Sequence, residues 1–152
     1  MRRDRDGRSG TEEQPLLTVR LLGGLEIDGQ PATHTKPHAL LALLLAQPDR
    51  QMAREQVAGL LWPDSSDKSA RQSLRTVLHQ LRARLPVGPD GELVVAQRLS
   101  LGINPRFPVD VDLHRFRRAW EGRPQGGERE REALEEGIEA YRGPFLAGFD
   151  LD

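Results

Sequence analysis

A chain of 152 residues can bury one substantial core but is short for two complete domains. Its 22 basic and 23 acidic residues leave a net charge of −1, so global charge alone points to no polyanionic partner. The absence of cysteine excludes disulfide frameworks, thiolate metal sites and cysteine nucleophiles, and agrees with a reducing cytoplasm. The longest apolar run, Ala39 to Ala46, falls far below the ~18 residues of a membrane span, so a soluble, cytoplasmic protein is expected.

Residues 1–14 are polar and rich in Arg, Asp, Gly and Glu, the composition of a disordered tail. From Leu16 to Ile27 the residues Leu17, Val19, Leu21, Leu25 and Ile27 alternate with the strand period around the turn signal Gly23-Gly24. Asp28-Gly29 is a second turn signal, and together they predict a small antiparallel sheet of about three strands. At Thr35-Lys36-Pro37 a hydroxyl cap precedes a proline tolerated in a first helical turn. The run Ala39 to Ala46 then predicts a helix ending near Pro48, with leucines on nearly every side and therefore the most buried helix of the fold.

A second, short helix is predicted from Arg54 to Trp62, stopped by Pro63. Ala53 has no side chain to cap it, so its start is expected to fray, at a cost of about 1 kcal/mol. Asp64, Ser65 and Ser66 offer caps for a third helix from Asp67 to Leu85, ended by Pro86. In that helix Ala70, Leu74, Val77, Leu78, Leu81 and Leu85 form one apolar stripe. The opposite face carries Lys68, Ser69, Gln72, Arg75, Thr76, His79 and Ala83, with Arg71 and Arg82 on the flanks. Five cations oppose the one carboxylate Asp67, and no bulky apolar residue faces outward, which suits a phosphate-lined groove.

Beyond the loop VGPDG, Glu92–Ala96 and Arg98–Ile103 read as two strands paired around Gln97-Arg98, with Leu99, Leu101 and Ile103 alternating. Sheet, three helices and terminal hairpin make an α+β winged helix-turn-helix over residues 15–104, with a recognition helix at 67–85 and a wing at 92–103. Pro105 and Pro108 restrict the link that follows. Asp112 reads as the N-cap of a helix presenting Leu113, Phe116, Ala119 and Trp120 on one face, with His114 at its surface. Glu128 to Tyr141 reads as an acidic amphipathic helix, since seven Glu and three Arg lie between 121 and 140. These helices are too short to stand alone, so Phe116 and Trp120 are expected to pack on the preceding body, with Phe145 to Asp152 the least ordered folded part.

No catalytic residue, cofactor site or metal site is expected. His34 and His38 are separated by Pro37 at a helix start and share no helical face, and Ser65 and Ser66 lack a partnering His or a nucleophile elbow. The chemistry lies instead in donors suited to duplex DNA. Arg75 and Gln72 are first choices for base edges and Thr76 and His79 second, because Arg pairs with guanine and Gln with adenine through two hydrogen bonds. Lys68, Arg71 and Arg82 suit phosphates, joined by Arg98 from the wing and by Lys36 and Arg54 at helix starts. A winged helix serving protein–protein interaction within a larger regulator is the alternative, disfavoured by the lack of exposed aromatic or Leu anchors on the basic face.

The pieces VRLLGGLEIDGQP, Lys36 with ALLALLLA, REQVAGLLWPD and SLRTVLHQLRARL, in that order, resemble the OmpR/PhoB-type winged-helix domain of the SARP (antibiotic regulatory protein) activators. VDVDLHRF and AYRGPFLAGF resemble the opening of the bacterial transcriptional activator domain (BTAD) that follows it, placing a partial helical domain at 109–152 and a truncation within it. The wing lacks the Gly-Tyr pair frequent in shorter family members. The resemblance implies a transcriptional activator that binds direct repeats of double-stranded DNA head to tail, as a homodimer on the DNA, and contacts RNA polymerase.

Overall fold

The computed structural model describes residues 14–33, 35–47, 49 and 51–140. The expected tail at 1–14 lies almost wholly outside them, as do Tyr141 and the segment 145–152. Strands β1 (Leu17–Arg20), β2 (Glu26–Ile27) and β3 (Gln30–Pro31) open the chain as an antiparallel meander. Asp28 and Gly29 both adopt positive φ, the requirement of the tight turn that joins two such strands, and the Asp28 carboxylate accepts from Thr18 N–H at 2.9 Å.

Helix α1 (Lys36–Ala46) follows, then β4 (Met52–Ala53), α2 (Arg54–Leu61) and α3 (Asp67–Arg84). Seven residues of α1 are buried, as its ring of leucines predicts. Ala70, Leu74, Val77, Leu78 and Leu81 of α3 are all buried, while Leu85 is only half-buried beyond the helix end. Ser66 caps α3 by accepting from Ser69 N–H at 3.2 Å.

The start of α2 does not depend on a capping side chain. Ala53 pairs with Ser100 of a neighbouring strand, and Arg54 N–H donates to Leu99 O at 2.9 Å, so the turn leading into that strand supplies the acceptor. The loop read as VGPDG contains a two-stranded ribbon, β5 (Val87–Gly88) with β6 (Gly91–Glu92), followed by the hairpin of β7 (Val94–Ala96) and β8 (Ser100–Ile103). The hairpin strands are shorter than predicted because the turn takes Gln97 to Ser100, closed by Gln97 N–H to Ser100 O at 2.9 Å. Leu99 therefore sits at a tip, outside the apolar alternation that Leu101 and Ile103 continue into the core.

The predicted three-stranded sheet has a fourth member. Residues Val109–Val111 form β9, parallel to β1 with Leu17 opposite Val109 and Val19 opposite Val111, giving the order β3-β2-β1-β9. A stretch of three residues behind two prolines has no strand signal of its own; its pairing comes from a partner about ninety positions earlier.

Helix α4 (Asp112–Glu121) starts directly from β9, and α5 (Gly127–Ala140) packs against it. Val111, not Asp112, is the N-cap. Asp112 is instead the first helical residue and fully buried, its carboxylate accepting from Leu21 N–H at 2.7 Å, Leu22 N–H at 3.1 Å and Leu113 N–H at 2.7 Å. His114, expected at the surface, is half-buried and donates Nε2–H to Leu45 O at 2.7 Å; Arg117 donates to Ala46 O at 2.7 Å. Phe116 packs against the core as expected, but Trp120 is 51% exposed and lies under the Arg123 guanidinium at 4.0 Å from the ring centre. Trp120 sits four residues beyond Phe116, one residue before the end of the ten-residue helix.

Replacing Asp112 by Ala strands three backbone donors, two of them on β1's exit, and should cost about 3 kcal/mol in urea denaturation. Asp110→Ala, which removes only the partly exposed pair with Arg115, should cost under about 1 kcal/mol. Equal small losses would show that the buried carboxylate is not a clamp.

Candidate nucleic-acid interface

The outer face of α3 stands clear of the body because the helix presents only its apolar stripe to α1 and α2. Lys68, Arg71, Gln72, Arg75, Thr76 and His79 are all exposed. Among the described residues the side chains of Lys68, Gln72, Arg75 and His79 have no protein partner. Thr76 Oγ1 donates back to Gln72 O at 3.3 Å, and Arg71 faces Glu55 at a long 3.9 Å. An exposed ion pair that loose contributes little and yields readily to another anion.

Beside α3 stands the β7–β8 hairpin, whose third strand is β4. Its tip, Arg98 and Leu99, is held from two sides. Arg54 Nε–H donates to Gln97 O at 2.8 Å, and Ser100 Oγ–H donates to Gln51 Oε1 at 2.8 Å. Between tip and helix runs a groove of about 480 Å³ lined by Arg54, Arg71, Arg75 and Arg98 with Leu74 and Leu99 at its apolar edge. A second groove of about 360 Å³ lies further along α3, lined by Arg75, His79, Arg82 and Glu92.

Besides Arg71 and Thr76, three more of the ten residues expected to contact DNA are engaged within the protein. Lys36 Nζ donates to Leu61 O at 2.6 Å and lies 5.6 Å from the Trp62 ring centre, so its ammonium completes the C-terminal end of α2. Arg54 shares its guanidinium with the hairpin turn. Arg82 forms a two-pronged pair with Glu92 on β6, which fastens α3 to the strand region. Residues 82 and 92 lie across a proline-terminated helix end, so no helical spacing in the sequence announces the pair, and Glu92 was not selected. The remaining residues, Lys68, Arg71, Gln72, Arg75, Thr76, His79 and Arg98, share one open side of the molecule.

No protein-family model matches this chain, and no curated protein matches it. Among solved structures, the chain is similar to Mycobacterium tuberculosis EmbR in complex with a low-affinity phosphopeptide, at 26% identity and a TM-score of 0.55. The match covers 88% of this chain and 38% of EmbR, so the chain corresponds to well under half of that protein. EmbR is a SARP-family regulator, and the mixed α/β fold here, with its small sheets and five helices among the described residues, is SARP-like.

The Arg82 guanidinium, first by hydrogen bonding and then by its charge, holds the Glu92 carboxyl below the usual glutamate range against a smaller opposing effect of desolvation. Because the folded-state pKa is lowered, the pair's contribution is complete above the ordinary glutamate pKa and is lost as pH falls through the lowered value. Both partners are partly exposed, so the amount is under about 1 kcal/mol. The stability of Glu92→Gln, followed by urea denaturation from about pH 6 to about pH 3, should therefore fall less steeply than that of the wild type. Parallel curves would show that the pair carries no stability.

Proposed function

We propose that this chain is the DNA-binding part of a SARP-type transcriptional regulator, a winged helix-turn-helix in which α3 enters the major groove and the β7–β8 hairpin is the wing. The observation that carries this reading is the outer face of α3: cationic and amide-bearing, free of bulky apolar residues, and with Lys68, Gln72, Arg75 and His79 unpartnered among the described residues beside a basic hairpin tip. A helix is the element a major groove admits, and bases there are read by paired hydrogen bonds from residues such as Arg75 and Gln72. Thr76 and His79 are the neighbouring readers; Lys68, Arg71 and Arg98 hold phosphates. Lys36, Arg54 and Arg82 act one step back, fixing α2, the wing and α3 with respect to one another.

The likeness to EmbR supports a regulator of transcription, and the activator role, direct-repeat operator, homodimer on DNA and contact with RNA polymerase belong to this proposal. A winged helix used for protein interaction is the second reading, favoured by the phosphopeptide in the EmbR complex. An arginine-lined groove also suits a phosphorylated side chain. A gel shift at low salt, using duplexes selected from a random library with a phosphopeptide as competitor, separates the two: retention of a preferred duplex supports the first, and phosphopeptide binding without a shift supports the second.

On a selected duplex, Arg75→Ala should weaken binding by about 1–3 kcal/mol and relax preference at one base pair. Lys68→Ala should weaken all sequences alike and lower the slope of log affinity against log salt by about one unit. Equal loss on selected and random DNA for Arg75→Ala, with the fold intact, would remove α3 from the groove.

A further inference from the structure

At the tip of the β7–β8 hairpin Leu99 is 74% exposed, the most exposed large apolar side chain among the described residues. An exposed leucine alone is ordinary; its surroundings are not. The tip is stiff, because the Leu99 carbonyl accepts from Arg54 N–H and the Gln97 carbonyl from Arg54 Nε–H, at 2.9 Å and 2.8 Å. Arg54 thereby fixes the height of the tip above α3. Across the 480 Å³ groove stand Arg71 and Arg75, with Arg98 beside Leu99 on the turn. One carboxylate, Glu55, shares the groove and faces Arg71 at 3.9 Å.

We propose that this groove seats one strand of a DNA backbone, with phosphates on Arg71 and Arg98 and the Leu99 side chain against the apolar face of a deoxyribose. The inference rests on the DNA-binding reading above and adds to it a residue and a kind of contact. A nucleic-acid backbone alternates anionic phosphates with sugars whose C–H faces are apolar, and the groove offers both guanidinium groups and a leucine. The apolar edge of the groove is framed by four arginines against the one carboxylate Glu55, a charge balance that favours a polyanion over a protein anchored on Leu99 alone. Arg54 is a positioning residue here: one guanidinium N–H and its backbone N–H are committed to the turn.

A sugar contact releases no counterions, so its signature differs from that of a phosphate contact. Fluorescence anisotropy of the whole chain on a selected single-site duplex, across a salt series, should show Leu99→Ala weakened about tenfold at every salt concentration with the slope unchanged, the size expected for losing a leucine's burial. Leu99→Thr should behave alike, so the outcome does not hang on one variant's folding, and Leu99→Met should restore binding to within about twofold. Arg98→Ala should lower the slope by about one unit. The proposal is overturned if either Leu99→Ala or Leu99→Thr binds as the wild type does, or if the loss appears only on duplexes carrying two sites, which would place the leucine against a second copy of the chain. A wild-type chain that binds no duplex at any salt removes the DNA-binding reading itself, and this proposal with it.

Discussion

Helix α1 is apolar on almost every side, and that one constraint organises the molecule. A helix built from KPHALLALLLA has almost no polar face to offer water, so it must be surrounded, and its last carbonyls need donors from outside the helix. Gln47 N–H reaches Leu44 O, and α4 supplies the other donors: His114 to Leu45 O and Arg117 to Ala46 O. Cationic or N–H-bearing side chains at a helix C-terminus also meet the negative end of its dipole. The need to satisfy a buried helix end thus brings a helix from late in the chain against one from its beginning.

Once α4 is held there, the N-terminal sheet is drawn into the same unit. The residues just before α4 become β9 beside β1, and Asp112 turns a buried carboxylate onto the backbone of Leu21 and Leu22. A buried charge is tolerated because three N–H groups surround it. On the other side of α1, α3 rests its apolar stripe, and Lys36 from the first turn of α1 completes the end of α2. The exposed polar face of α3 is therefore carried by a packed body, which reduces the ordering cost of any complex it forms.

The distribution of cations follows the same logic. Lys36, Arg54 and Arg117 each reach a backbone carbonyl of another segment, whereas Lys68 and Arg75 on the outer face of α3 reach none among the described residues. Arg82 lies at the boundary between these cases, on the flank of α3 within reach of Glu92. Whether a basic residue has an acceptor on a neighbouring segment thus bears as much on its role as its charge does.

The helical stripe of α3, the burial of α1, the Asp28-Gly29 turn and the exposed polar face were all legible in the sequence, because each depends on periodicity or on the chemistry of a few adjacent residues. The sequence also located the free donors Lys68, Gln72, Arg75 and His79, since a residue opposite an apolar stripe is turned to solvent by geometry alone. Only the tertiary structure decided which cations were already engaged, that β9 completes the first sheet, that Asp112 is buried, and that Leu99 stands on a tip instead of in the core. Those outcomes depend on partners ten to ninety residues away, whose approach is fixed by the packing around α1, and no local pattern encodes a contact whose other half is distant in the chain.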